Sequence, residues 1–200
     1  MAIRAFLAVE LSEPAREAAA GLARELAERS PGVRWARPEG YHVTLRFLGD
    51  VAPGRVPALA RSVGEAVAGH APFAMRLGAP RLFPDSRRPR VVALGLEPEQ
   101  ELGALAAAVE RGVVVAGFPA EGRPFRAHLT LGRVREPGAR VALPGSAPPA
   151  PAWSVREVIL FQSELLPQGA RHIPLERFAL GAGISPDTPT TEGEDDHGEE

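Results

Sequence analysis

The chain has 200 residues, 44% of them hydrophobic, which supports one domain or two small lobes with a sizeable core and no covalent staples. It lacks cysteine, and all 23 of its basic residues are arginine. Disulfides, thiolate chemistry, lysine nucleophiles, Schiff bases and a Walker-type phosphate loop are therefore excluded. Residues 185–200 carry seven acids and no base, so the net charge of −2 hides a body with 18 acids and 23 bases. That balance suits an anionic ligand and falls short of a strong nucleic-acid footprint.

No apolar run approaches the ~20 residues of a membrane helix, and the N-terminus lacks the pattern of a secretory signal. Lack of cysteine fits a reducing compartment. The expectation is a cytoplasmic protein that makes no membrane contact.

In chain order, Ile3 to Glu10 reads as a strand. Ser12 is placed to cap a helix to Arg29, with Pro14 in its first turn, Leu22 and Leu26 on its buried stripe, and Pro31-Gly32 as its stop. Tyr41 to Leu48 alternates strictly, with Tyr41, Val43, Leu45 and Phe47 on one face and His42, Thr44 and Arg46 on the other. A helix over 53–68 and strands over 73–83 and 91–96 follow, the strands joined by a loop rich in arginine. A helix over 99–117 precedes a second alternating strand, 127–134, in which His128 and Thr130 share a face. A connector rich in proline and glycine, 137–151, leads to closing strands over 155–165 and 172–180, linked by a turn at 167–171. Residues 185–200 are too polar to offset their ordering entropy and read as a disordered acidic tail. The whole reads as an α+β fold, residues 1–184, with two antiparallel-rich lobes around a central cleft.

The two alternating strands repeat one tetrapeptide, His42-Val43-Thr44-Leu45 and His128-Leu129-Thr130-Leu131. Residues 1–184 contain two threonines, and each follows a histidine by two positions. On a strand, residues i and i+2 project to one face about 6–7 Å apart. Two such strands facing each other bring two imidazoles and two hydroxyls to one site. Imidazoles exchange protons near neutral pH, and hydroxyls can donate to phosphate oxygens. This layout suits phosphoryl transfer without a metal, a cofactor or a covalent intermediate. Arg46 shares the polar face and is a further phosphate contact. His70 reads as a solvated helix end, His172 as a surface or edge-strand residue, and His197 as part of the tail. Phe6 and Trp35 are rings that either stack a nucleobase, for ~1–3 kcal/mol, or serve as ordinary core. Arg87, Arg88 and Arg90 read as a solvated loop.

The chain resembles the two-histidine phosphoesterases, and among them the RNA 2′,3′-cyclic phosphodiesterases historically called 2′-5′ RNA ligases. The resemblance runs through RAFLAVELSEPARE, RWARPEGYHVTLRFLGDV, RPFRAHLTLGRV and the closing WSVREVILFQSELLPQGARHIPLERFAL. It implies two lobes related by a pseudo-twofold axis, and hydrolysis of a 2′,3′-cyclic phosphate at an RNA 3′ end. It implies His42 and His128 as the acid–base pair, leaning to His42 as acid and His128 as base. Thr44 and Thr130 carry over as phosphate ligands, and Arg133 matches a basic residue often found at that place. No protein partner is implied. RNA ligation, hydrolysis of a small cyclic phosphate and RNA-end binding without turnover stand as alternatives. The cellular RNA and the product isomer stay open.

Overall fold

The computed structural model describes residues 1–136, 141–166 and 169–181. The expected acidic tail, 185–200, lies outside the described residues, as does the start of the connector. Nine strands and three α-helices are present among the described residues: β1 (Ile3–Glu10), α1 (Glu13–Arg29), β2 (Val33–Trp35), β3 (His42–Val51), α2 (Val56–Ala68), β4 (Phe73–Phe83), β5 (Val91–Glu97), α3 (Glu99–Val115), β6 (His128–Val134), β7 (Trp153–Val155), β8 (Glu157–Leu166) and β9 (Gly169–Ala179). The long elements match the sequence pattern. The short strands β2 and β7 carry no alternation long enough to read, and exist because a neighbour offers an edge to pair with.

Helix α1 starts where capping chemistry places it: the Ser12 side chain accepts from the Ala15 amide at 3.4 Å, satisfying one of the helix's orphan donors. Ala15, Ala19, Leu22, Ala23 and Leu26 form its buried stripe.

The strands form two antiparallel sheets, β3-β1-β8-β9 and β2-β6-β5-β4-β7. Each sheet holds one copy of the same unit, a strand, a helix and an antiparallel return strand: β1–α1–β3 in the first lobe and β5–α3–β6 in the second. The registers coincide. His42 faces Glu10 and Thr44 faces Ala8, as His128 faces Gly95 and Thr130 faces Ala93.

In both copies the register then slips by one residue on the motif strand, past Leu45 in β3 and past Leu131 in β6. Such a bulge sends both residues around it to one side and reverses the alternation beyond. Leu45 and Leu131 stay buried. The third residue on the face of the histidine and threonine becomes Phe47 in one lobe and Arg133 in the other.

Helices α2 and α3 pack against each other between the lobes, and their approach depends on Gly112. A Cβ there would lie 2.7 Å from the Ser62 carbonyl oxygen and 2.8 Å from the Val63 Cα. One large core joins both sheets and all three helices. A second, small cluster of Phe6, Ala8, Ile159 and Phe161 lines the concave face of the first sheet. No helix among the described residues is long and apolar enough to cross a membrane.

Candidate active site

The motif strands β3 and β6 meet across the lobes, and each begins at its histidine. The preceding backbone fixes both rings in the same way. Nδ1 of His42 donates to the Gly40 carbonyl at 2.7 Å, and Nδ1 of His128 donates to the Arg126 carbonyl at 2.8 Å. A carbonyl only accepts, so each Nδ1 carries its hydrogen and Nε2 is the atom left for proton exchange. Arg16 of α1 holds the turn ahead of His42 by donating to the carbonyls of Pro38 (2.7 Å) and Tyr41 (3.2 Å). Sequence reasoning missed this role, since nothing local marks a residue 22 positions away as support for the turn.

Aromatic rings back both imidazoles. Phe6 lies 4.6 Å from the His42 ring, and Phe83 lies 5.1 Å from the His128 ring. Beside His128, Phe83, Arg126 and Arg81 line one side of a groove.

Thr44 and Thr130 sit on the faces of their histidines, each half-buried and without a side-chain hydrogen bond among the described residues. Arg133 is exposed on the same face as Thr130. Arg46 does not join them. The bulge turns it to the opposite side of β3, where it pairs with Glu110 of α3 at 2.6 Å and with Glu121 at 3.5 Å, and donates to the carbonyls of Pro119 and Phe47. It ties the first motif strand to the helix instead of holding a ligand.

Phe6 and Trp35 take the core role of the two that the sequence leaves open to them. Phe6 is 2% exposed, enclosed by the rings of His42, Phe47, Phe161 and His172, so it has no free face. Trp35 pairs with Gly132 on the core side of β6, with its ring against the space left by the missing Cβ. The exposed ring on the face of His42 and Thr44 is Phe47, at 54%.

A third imidazole, expected on the surface or on an edge strand, does lie on an edge strand and sits against the first histidine. His172 lies on β9, the edge strand farthest from β3, yet its ring centre is 4.9 Å from that of His42, with the planes at 83°. In a flat sheet three strand spacings would separate them by roughly 14 Å. The sheet therefore curls into a half-barrel around Phe6 and Phe161, and its outer strands touch over those rings. Among the described residues His172 Nδ1 is buried without a hydrogen-bond partner.

Burial pushes the His42 pKa down to about 4. The nearby positive charge of Arg16, and of His172 and His128 when protonated, acts in the same direction, while the bond to Gly40 opposes it. Burial lowers His172 as well. His42 is thus neutral at pH 7 in the free protein. Among the described residues no group of three or more His, Asp or Glu could hold a metal ion.

Comparison with known proteins agrees with the internal symmetry. The family model "LigT like Phosphoesterase" matches twice, over residues 9–93 and 94–172, one match for each His-x-Thr strand. An RNA 2′,3′-cyclic phosphodiesterase of Methanothermobacter thermautotrophicus is 35% identical over 185 residues, covering 90% of this chain and all of that protein. A crystal structure from Thermus thermophilus superposes with a TM-score of 0.76 at 30% identity, over 91% of this chain and all of the other. E. coli LigT complexed with 3′-AMP superposes with a TM-score of 0.73 at 27% identity, over 90% and 99%.

NMR titration of the imidazoles tests the electrostatics. His42 is expected to titrate near 4 in the free protein, well below its ordinary 6.5. His172→Ala, which opens a path for water, should move it upward. The unfolded chain binds a proton below about pH 6.5 that folded His42 refuses until about pH 4, so acidification through that window should cost stability. A free-protein titration at 6.5 would contradict this account of the site.

Proposed function

This chain belongs to the LigT-like phosphoesterase family, and we propose that it hydrolyses the 2′,3′-cyclic phosphate at the 3′ end of RNA to a phosphomonoester. The observation that carries the reading is the pair of imidazoles on facing strands, each with Nδ1 committed to a backbone carbonyl and each beside a threonine hydroxyl.

In the proposed reaction water attacks phosphorus in line with the departing ribose oxygen. His128 Nε2 takes the proton from water and His42 Nε2 gives one to the leaving oxygen. A P–O bond to water forms as a P–O bond to ribose breaks. Burial makes protonated His42 a strong acid, and the phosphate's negative charge is what restores its proton when substrate binds. Thr44, Thr130 and Arg133 hold the non-bridging oxygens, where charge accumulates. Phe47 takes over from Phe6 and Trp35 as the ring on which the terminal base stacks. Neither a cofactor nor a protein partner enters the scheme. A cytoplasmic site of action and a catalytic unit of residues 1–184 belong to the same proposal.

The test is turnover of a nucleoside 2′,3′-cyclic phosphate by the purified chain. Activity should persist in EDTA, with one oxygen from solvent water in the product, and the isomer formed identifies the leaving oxygen. Loss on chelation with recovery on one divalent ion would contradict the mechanism. Thr44→Val and Thr130→Val keep the shape and strand preference, and remove the donor. Each should fold normally and lose about 10–150-fold in turnover, the worth of a hydrogen bond to a charged group. Full activity in both would make the hydroxyls bystanders.

A further inference from the structure

The row that contains Arg133 continues outward to Arg34 on β2, the edge strand of the second sheet, its direct antiparallel partner. Directly opposed residues share a face, and the bulge at Leu131 has put that face on the same side as Thr130. Both arginines are exposed. Two like charges opposite one another destabilise a ladder unless something answers them.

Elsewhere in the sheets something does. Arg76 pairs with Glu97 at 2.8 Å, Arg81 with Glu99 at 2.7 Å and Arg171 with Glu164 at 2.6 Å, Arg177 pairs with Glu157, and Arg4 stands opposite Asp50. Among the described residues Arg4, Arg34 and Arg133 are the strand arginines without an ion pair; Arg4 stands opposite an acid, Asp50, whereas Arg34 and Arg133 stand opposite each other. Glu136 lines the shallow groove beside Arg34 and makes no ion pair with it.

We infer that Arg34 is a phosphate-binding residue for the 5′ side of the substrate's terminal nucleotide, next to Arg133 at the cyclic phosphate. Resting on the hydrolysis of cyclic phosphates proposed above, this names the preferred substrate as an RNA strand end over a free nucleoside cyclic phosphate. Neighbouring strands lie about 4.8 Å apart, so two guanidiniums on adjacent strands follow a backbone whose phosphates leave the cleft in sequence. Guanidiniums suit the task, since they stay charged and grip phosphate with paired donors.

The experiment compares a nucleoside 2′,3′-cyclic phosphate having a free 5′ hydroxyl with a dinucleotide ending in the same cyclic phosphate. The wild-type chain should favour the dinucleotide in kcat/KM. Arg34→Gln should lower kcat/KM on the dinucleotide about tenfold and leave the nucleoside substrate within about twofold. Arg34→Lys should recover part of the loss. In parallel, anisotropy of a labelled oligoribonucleotide 3′-phosphate reads binding without turnover. There Arg34→Gln should reduce the slope of log K against log salt by about 0.7, one single-strand phosphate contact. Equal losses on both substrates, or an unchanged salt slope, would overturn the assignment. If the wild-type chain hydrolysed neither substrate, the reading of the reaction would fail, and the anisotropy would still decide Arg34.

Discussion

A motif strand in this fold has two demands to meet at once. It must bury leucines on the face toward the core, and it must present an imidazole, a hydroxyl and a third ligand-facing side chain on the other. One extra residue in each motif strand reconciles them. The slips past Leu45 and Leu131 keep both leucines inside, then reverse the alternation so that Phe47 and Arg133 return to the face of the histidines and threonines. The same device in both lobes yields unlike outcomes, an exposed ring on one side of the cleft and a guanidinium on the other. A symmetric scaffold thereby builds an asymmetric site.

The second determinant is the curl of the first sheet. Phe6 and Phe161 fill its concave side, and His42 and His172 close over them from opposite edges. This packing dries the first imidazole, while the second lies against the ring of Phe83, a residue that lines a neighbouring groove. Arg16 and Arg46, neither of them facing a ligand, then anchor the two ends of the region around His42, one to the turn before it and the other to α3. These two arginines near the site are thus structural, in contrast to the exposed Arg133 and Arg34.

Strand alternation and the two His-x-Thr pairs make the lobes, the long elements and the two like-faced histidine strands legible in the sequence, because period-two burial is a local signal. What the sequence hid is non-local. A bulge depends on the register of the partner strand, so strict alternation assigned Arg46 to the cleft and Phe47 to the core, the reverse of their places. His172 reaches His42 through sheet curvature, for which its neighbours Ile173 and Pro174 give no sign. Of the two roles the sequence leaves open to Phe6, the structure shows the core one, and the choice depends on rings from three other strands.

In the proposed reaction the two imidazoles act as one unit across the cleft. A mutant cycle on a nucleoside 2′,3′-cyclic phosphate tests it most directly, with His42→Ala, His128→Ala and the double variant compared at equal folded concentration. Each single variant should lose at least about 10²-fold in turnover. The double should fall no further than a few-fold below the poorer single, because removing either partner already disables the proton exchange. Near-normal turnover in either single variant, or losses that multiply in the double, would contradict the account.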